Sequence, residues 1–204
     1  MKILDRVSSF MGIFLGLFNK QTKILILGLN KAGKSTLLMQ IASHRPGVLK
    51  PTLHPISEEL VIQNVKFAAI KFGGDQQGRR LWSDHLHNIS AIIFVVDVAD
   101  HERFVEVKAE LDALLATKET HTIPIVVLGN KIDHLYAVSE EELRYELGLD
   151  RILGRPIELC MCSLDFRQGY GKAFQWLADH VKFGKWRWRS SLEFSQKDTT
   201  EIYI

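Results

Sequence analysis

Eight residues, Gly28 to Ser35 ("GLNKAGKS"), constrain this chain more than any other stretch. They fit the pattern Gly-x-x-x-x-Gly-Lys-Ser/Thr. They also lie between the apolar run "KILIL" and the helically spaced "KSTLLMQIA". Strand, glycine turn and helix are the context in which this pattern becomes a phosphate cradle. Successive backbone N–H groups and the helix N-terminus would face the β-phosphate. Lys34 would reach the β- and γ-phosphates, and the Ser35 hydroxyl would coordinate Mg²⁺.

The rest of the chain alternates in kind. "ELVIQ" (59–63) and "KFAAIKF" (66–72) flank Asn64-Val65, a hairpin signal. "AIIFVVD" (91–97) and "IPIVVLGN" (123–130) are solid apolar runs, the mark of strands buried on both faces of a parallel sheet. Between them, Phe104, Val107, Leu111 and Leu114/Leu115 share one helical face. Ser139 and Glu142 form a capping box that opens another helix. "PIELCMC" (156–162) reads as a last strand and "GKAFQWLADHVKF" (171–183) as a last helix. The pattern predicts an α/β fold: about six strands, mostly parallel with one antiparallel, and helices on both faces.

A phosphate loop alone leaves the base undecided. "GNKID" (129–133) addresses it, because it follows the second buried strand. In Asn130-Lys131-x-Asp133 the carboxylate of Asp133 can accept from guanine N1–H and N2–H₂, a pairing adenine cannot offer. The stem of Lys131 can lie along the base. Such a paired bond rejects the wrong base strongly, since polar groups would be left unpaired.

At this point the chain resembles a family. From about residue 23 to 182 it is similar to the Ras-like small GTPases, within them to the Arf/Sar branch, and there to the Sar GTPase that recruits the COPII vesicle coat. The resemblance rests on "PTLHPISEEL" (51–60), "FGGDQQGRRLW" (72–82), "VVDVAD" (95–100), "LGNKID" (128–133) and "MCSLDFRQGYGKAFQWL" (161–177). It implies a P-loop small GTPase fold with GTP/GDP and Mg²⁺ as cofactors. It implies that Asn30, Lys31, Ala32, Gly33, Lys34, Ser35 and Thr36 surround the phosphates. Thr52 would close over the γ-phosphate and Mg²⁺, and Gly74 would sense the γ-phosphate. Cys162, Ser163 and Leu164 would form the last guanine loop, offering backbone N–H groups to the base. It also implies partners: inner COPII coat subunits with an arginine finger, a membrane-bound exchange factor, and the endoplasmic reticulum membrane. The location implied is cytoplasmic, peripheral on endoplasmic reticulum and Golgi membranes.

The chain departs from that family at instructive positions. Asn30 stands where the family usually has Asp. Aligned on Gly73-Gly74, Lys71 replaces the Asp that orders Mg²⁺, and Asp75 replaces the His or Gln that orients the attacking water. Lys71 is expected to lower Mg²⁺ affinity, to point away, or to neutralise phosphate charge itself. Asp75 adds negative charge beside an anionic γ-phosphate, a poor exchange where catalysis is electrostatic. Two functions of different class follow. One is a GTPase switch accelerated by a coat subunit. The other is a hydrolysis-impaired guanine-nucleotide module acting as a membrane or coat scaffold.

Three segments are expected. Residues 1–22 read as an amphipathic membrane-binding helix: Ile3, Leu4, Val7, Phe10, Met11, Phe14, Leu15, Leu17 and Phe18 share a face, against Asp5, Ser8, Ser9 and Asn19. Residues 1–20 would carry the membrane contact, and Lys2 excludes N-myristoylation. Residues 23–183 form the nucleotide-binding domain. Residues 184–204 are a basic and aromatic extension containing "KWRWR". A formal charge of +2 argues against a nucleic-acid partner. Cys160 and Cys162 are read as strand-end core residues on opposite faces, a poor disulfide pair in a reducing compartment.

Overall fold

The structure, a computed structural model, describes residues 22–41, 56–62 and 65–183. Among the described residues, six strands form one sheet: β1 Thr22–Leu27, β2 Ile56–Ile62, β3 Val65–Lys71, β4 Ala91–Asp97, β5 Ile125–Asn130 and β6 Ile157–Cys162. Their spatial order is β2-β3-β1-β4-β5-β6. All neighbours run parallel except β2, which pairs antiparallel with β3 from Ile56↔Lys71 to Ile62↔Val65. The expected hairpin is therefore present, with Val65 inside the second strand rather than in the turn. β4 and β5 are buried almost throughout, as unbroken apolar runs require when helices cover both faces.

The described residues include five α-helices: α1 Lys34–Ile41, α2 Gln76–Arg80, α3 Phe104–Ala116, α4 Glu140–Glu146 and α5 Tyr170–Phe183. The sheet's period of two divides its apolar side chains between two cores. On one face Leu25, Leu27, Ile92, Phe94 and Val127 meet Val107, Leu111 and Leu114 of α3 and Leu143 of α4. On the other, Ile24, Ile26, Ile93, Val95 and Val126 meet Leu37 and Leu38 of α1 and Ala173, Phe174 and Leu177 of α5. At about 1.5–3 kcal/mol for each large side chain withdrawn from water, these two layers hold the sheet. The Ser139 cap forms as expected, its hydroxyl accepting from Glu142 N at 3.1 Å.

The two cysteines correct an expectation. Residues two apart on a strand share a face, and both thiols pack toward the α1/α5 core. Both are free thiols.

β1 has β3 on one side and β4 on the other, so the strand order reverses direction there. Crevices for ligands open at the carboxyl ends of strands at such a point. The loop after β1 is Gly28–Gly33.

Candidate functional site

The loop closes tightly. Gly33 has φ +112°, and a Cβ on it would meet Asn130 Nδ2 at 2.3 Å. That clash explains why this position carries no side chain. Lys31, two residues before it, also adopts a left-handed conformation with φ 65°, as does Lys131 with φ 75°. Two lysines in this sparsely populated region flank the same site, a form of local strain that collects at functional positions. Lys31 and Asn30 are exposed, Ala32 is buried, and Thr36 and Ser35 are half-buried at the start of α1.

Lys34 is buried and folds back over the loop, its Nζ donating to Gly28 O at 2.8 Å and Leu29 O at 2.7 Å. Burial, followed by the nearby charge of Lys71, brings its pKa down to about 8. Lys71 is the other buried cation here, and its Nζ donates to Ser35 Oγ at 3.0 Å. Burial lowers its pKa as well. Among the described residues neither ammonium forms an ion pair with a carboxylate. Two unneutralised buried cations beside a glycine cradle call for a polyanion.

The base end of the site is tied together by one side chain. Asn130, buried at the end of β5, donates from Nδ2 to Ala32 O at 2.9 Å and accepts at Oδ1 from Leu164 N at 3.0 Å. It therefore fixes the phosphate loop to the base motif and to the loop after β6. Lys131 Nζ pairs with Asp97 Oδ2 at 2.5 Å, which holds its stem across the end of the sheet. Asp133 is exposed, with no ion pair among the described residues, so its carboxylate is open to a ligand. Ser163 and Leu164 are buried and Cys162 ends β6. The N–H groups of Ser163 and Leu164 are already held, to Gln168 O at 3.0 Å and to Asn130 Oδ1.

The segment after β3 lies over the cradle. A Cβ at Gly74 would meet Asn30 N at 2.4 Å and Gly28 O at 2.5 Å, so its backbone is pressed against the phosphate loop. Trp82 Nε1 donates to Gly73 O at 3.3 Å from within the core. Asp75 caps α2: its Oδ1 accepts from Gly78 N at 2.7 Å. α2 is held to α3 by Arg79, which reaches Glu106 at 2.8 Å and Glu110 at 2.7 Å. Thr52, residues 1–20 and the extension 184–204 lie outside the described residues.

Sequence reasoning missed two residues of this arrangement, Arg103 and Asp97, and one role of a third, Asn130. Arg103, bonded to Asp100, holds Asn30 O at 2.9 Å. Asp97 anchors Lys131, and Asn130 serves the loop rather than only the base. Each joins positions far apart in the chain, and no local pattern signals such a contact.

The Mg²⁺ implied by the resemblance meets a poor donor set here. Position 71 offers an ammonium instead of a carboxylate, and that ammonium sits on the Ser35 hydroxyl. A Mg²⁺ ion would need Ser35 Oγ at about 2.0–2.1 Å, in the space Lys71 Nζ takes. Among the described residues no cluster of three His, Cys, Asp or Glu side chains offers an alternative.

Residues 8–181 match the ADP-ribosylation factor family. Among curated proteins, the chain is 37% identical over 195 residues to the small COPII coat GTPase SAR1 of Nicotiana tabacum, covering 86% of this chain and 98% of the relative. It is 36% identical over 179 residues to the small COPII coat GTPase SAR1 of Giardia intestinalis, covering 82% and 94%. Among solved structures it is similar to the Arl6 small GTPase of Trypanosoma brucei with a bound nucleotide analogue. There the TM-score is 0.73 at 27% identity, over 80% of this chain and 98% of the other.

Proposed function

The chain belongs to the ADP-ribosylation factor family, and on that premise we propose that it is a Sar-type guanine-nucleotide switch in vesicle transport from endoplasmic reticulum to Golgi. Its fold is that of a small GTPase. The observation that carries the nucleotide part is the Asn130 tie. It holds the phosphate loop, the base motif and the β6 loop in one cluster, with the carboxylate of Asp133 left open beside it. In this reading Asp133 selects guanine, Lys131 lines the base, and the loop from Asn30 to Thr36 with Lys34 cradles the phosphates. Thr52 and Gly74 sense the γ-phosphate.

The transport part is supported by the likeness to SAR1 proteins, whose names place them in the COPII coat. Residues 1–20 enter the membrane in the GTP state, and coat subunits and a membrane-bound exchange factor act on the domain. The test is twofold. Fluorescent GDP bound to the full chain is displaced by GTP and GDP but not by ATP; equal displacement by ATP rejects the guanine reading. Flotation on vesicles rises with a GTP analogue over GDP; equal flotation rejects the membrane switch.

A second reading is favoured by Asp75. Its carboxylate is engaged in capping α2, so the position that orients water in the family is used here for local structure. The chain is then a slow hydrolase that holds GTP on the membrane as a scaffold. Single-turnover hydrolysis by wild type against the Lys71→Asp/Asp75→His double variant decides this. Equal rates exclude it.

A further inference from the structure

We infer that the Lys71 ammonium takes the place of the divalent cation at this phosphate site, so that the chain holds its nucleotide without Mg²⁺. The inference rests on the guanine-nucleotide reading above and identifies what neutralises the phosphates.

Position and direction come first. Lys71 ends β3 and pairs in register with Ile26 of β1, the strand that runs into the cradle. Strand alternation sends Phe72 into the α3 core, while Lys71 projects to the opposite face, where α1 begins with Lys34 and Ser35. The side chain is 3% exposed, and its head is on Ser35 Oγ at 3.0 Å. It has not turned out to solvent, although a lysine stem is long enough to do so.

Charge comes second. An ammonium has three N–H donors. One is used on Ser35, and no described carboxylate pairs with it, which leaves donors for phosphate oxygens. The expected arrangement, one carboxylate with one Mg²⁺, sums to a single positive charge. Lys71 alone supplies the same sum. The phosphates therefore meet an unchanged net charge while the exchangeable ion is gone. Because the cation is part of the chain, chelation cannot remove it and dilution cannot lower its local concentration.

The test uses the full-length protein loaded with fluorescent GDP and chased with unlabelled GDP, in magnesium or in EDTA. Wild-type release rates agree within about threefold between the two, and Lys71→Asp releases at least about tenfold faster in EDTA than in magnesium. Electron paramagnetic resonance of Mn²⁺ gives a second measurement. Wild type with GDP retains no more Mn²⁺ than free GDP does, whereas Lys71→Asp retains a tight equivalent. Wild-type release accelerated about tenfold by EDTA overturns the inference, whether or not the variant folds. Nucleotide held only with magnesium removes this inference and leaves the guanine reading standing. A protein that takes up no guanine nucleotide under either condition removes both.

Discussion

Asn130 shows how much one amide can hold. Both ends of its side chain are bonded inside the protein, to Ala32 O and Leu164 N. Truncating it strands a buried acceptor and a buried donor, each costing about 1–3 kcal/mol. Asn130→Ala is therefore expected to lower stability by about 2–6 kcal/mol, read as a shift in urea midpoint at unchanged slope. At the same scale, burial pushes the Cys160 thiol up to about 11 and the Cys162 thiol up to about 12, from an ordinary 9.0. The folded state keeps these protons longer than the unfolded chain. Their contribution is whole below about pH 9 and fades as pH climbs toward the folded values. Urea titrations from pH 8 to 11 should show a smaller alkaline loss in Cys162→Ala than in wild type.

Among the described α-helices, α2 is the shortest. Five residues are too few for a helix to persist on propensity. Its supports are the Asp75 cap and the Arg79 bridges to α3. Asp75→Ala should cost about 1 kcal/mol and raise amide exchange across residues 76–80. Protection unchanged there would mean that the cap is idle. This helix was not legible in advance, because "DQQGRR" has no apolar period and its tertiary contacts are supplied by α3. The six strands were legible, because apolar runs such as "AIIFVVD" have only one place to go when helices cover both faces of a sheet. The capping role of Asp75 had a local sign, a carboxylate three residues before the Gly78 amide. The Lys71–Ser35 contact had none, since it joins residues 36 apart across the mouth of the cradle. What could be read from "KFGGDQQG" was a pair of unusual residues, and geometry assigned one to a helix cap and the other to a hydroxyl.

For the whole molecule, two buried cations at one cradle set a measurable cost. Lys34 and Lys71 are buried close enough for the charge of one to depress the pKa of the other. A diphosphate relieves both. Saturation at about a thousandfold over Kd adds about 4 kcal/mol, so GDP should raise Tm by several degrees while ADP leaves it unchanged. An equal rise with ADP would show that the gain comes from phosphate alone.

The same architecture bears on how the molecule assembles in time. The bond from Asn130 to Ala32 spans 98 residues and that to Leu164 spans 34. Closing loops of that length is deferred until nearer contacts have reduced the entropy to be lost. The sheet and its two apolar layers can therefore condense before the knot at Asn130 is tied. In chevron kinetics, Asn130→Ala should speed unfolding and leave refolding almost untouched. Competence to receive a ligand would then be the last property this chain acquires as it folds and the first it gives up.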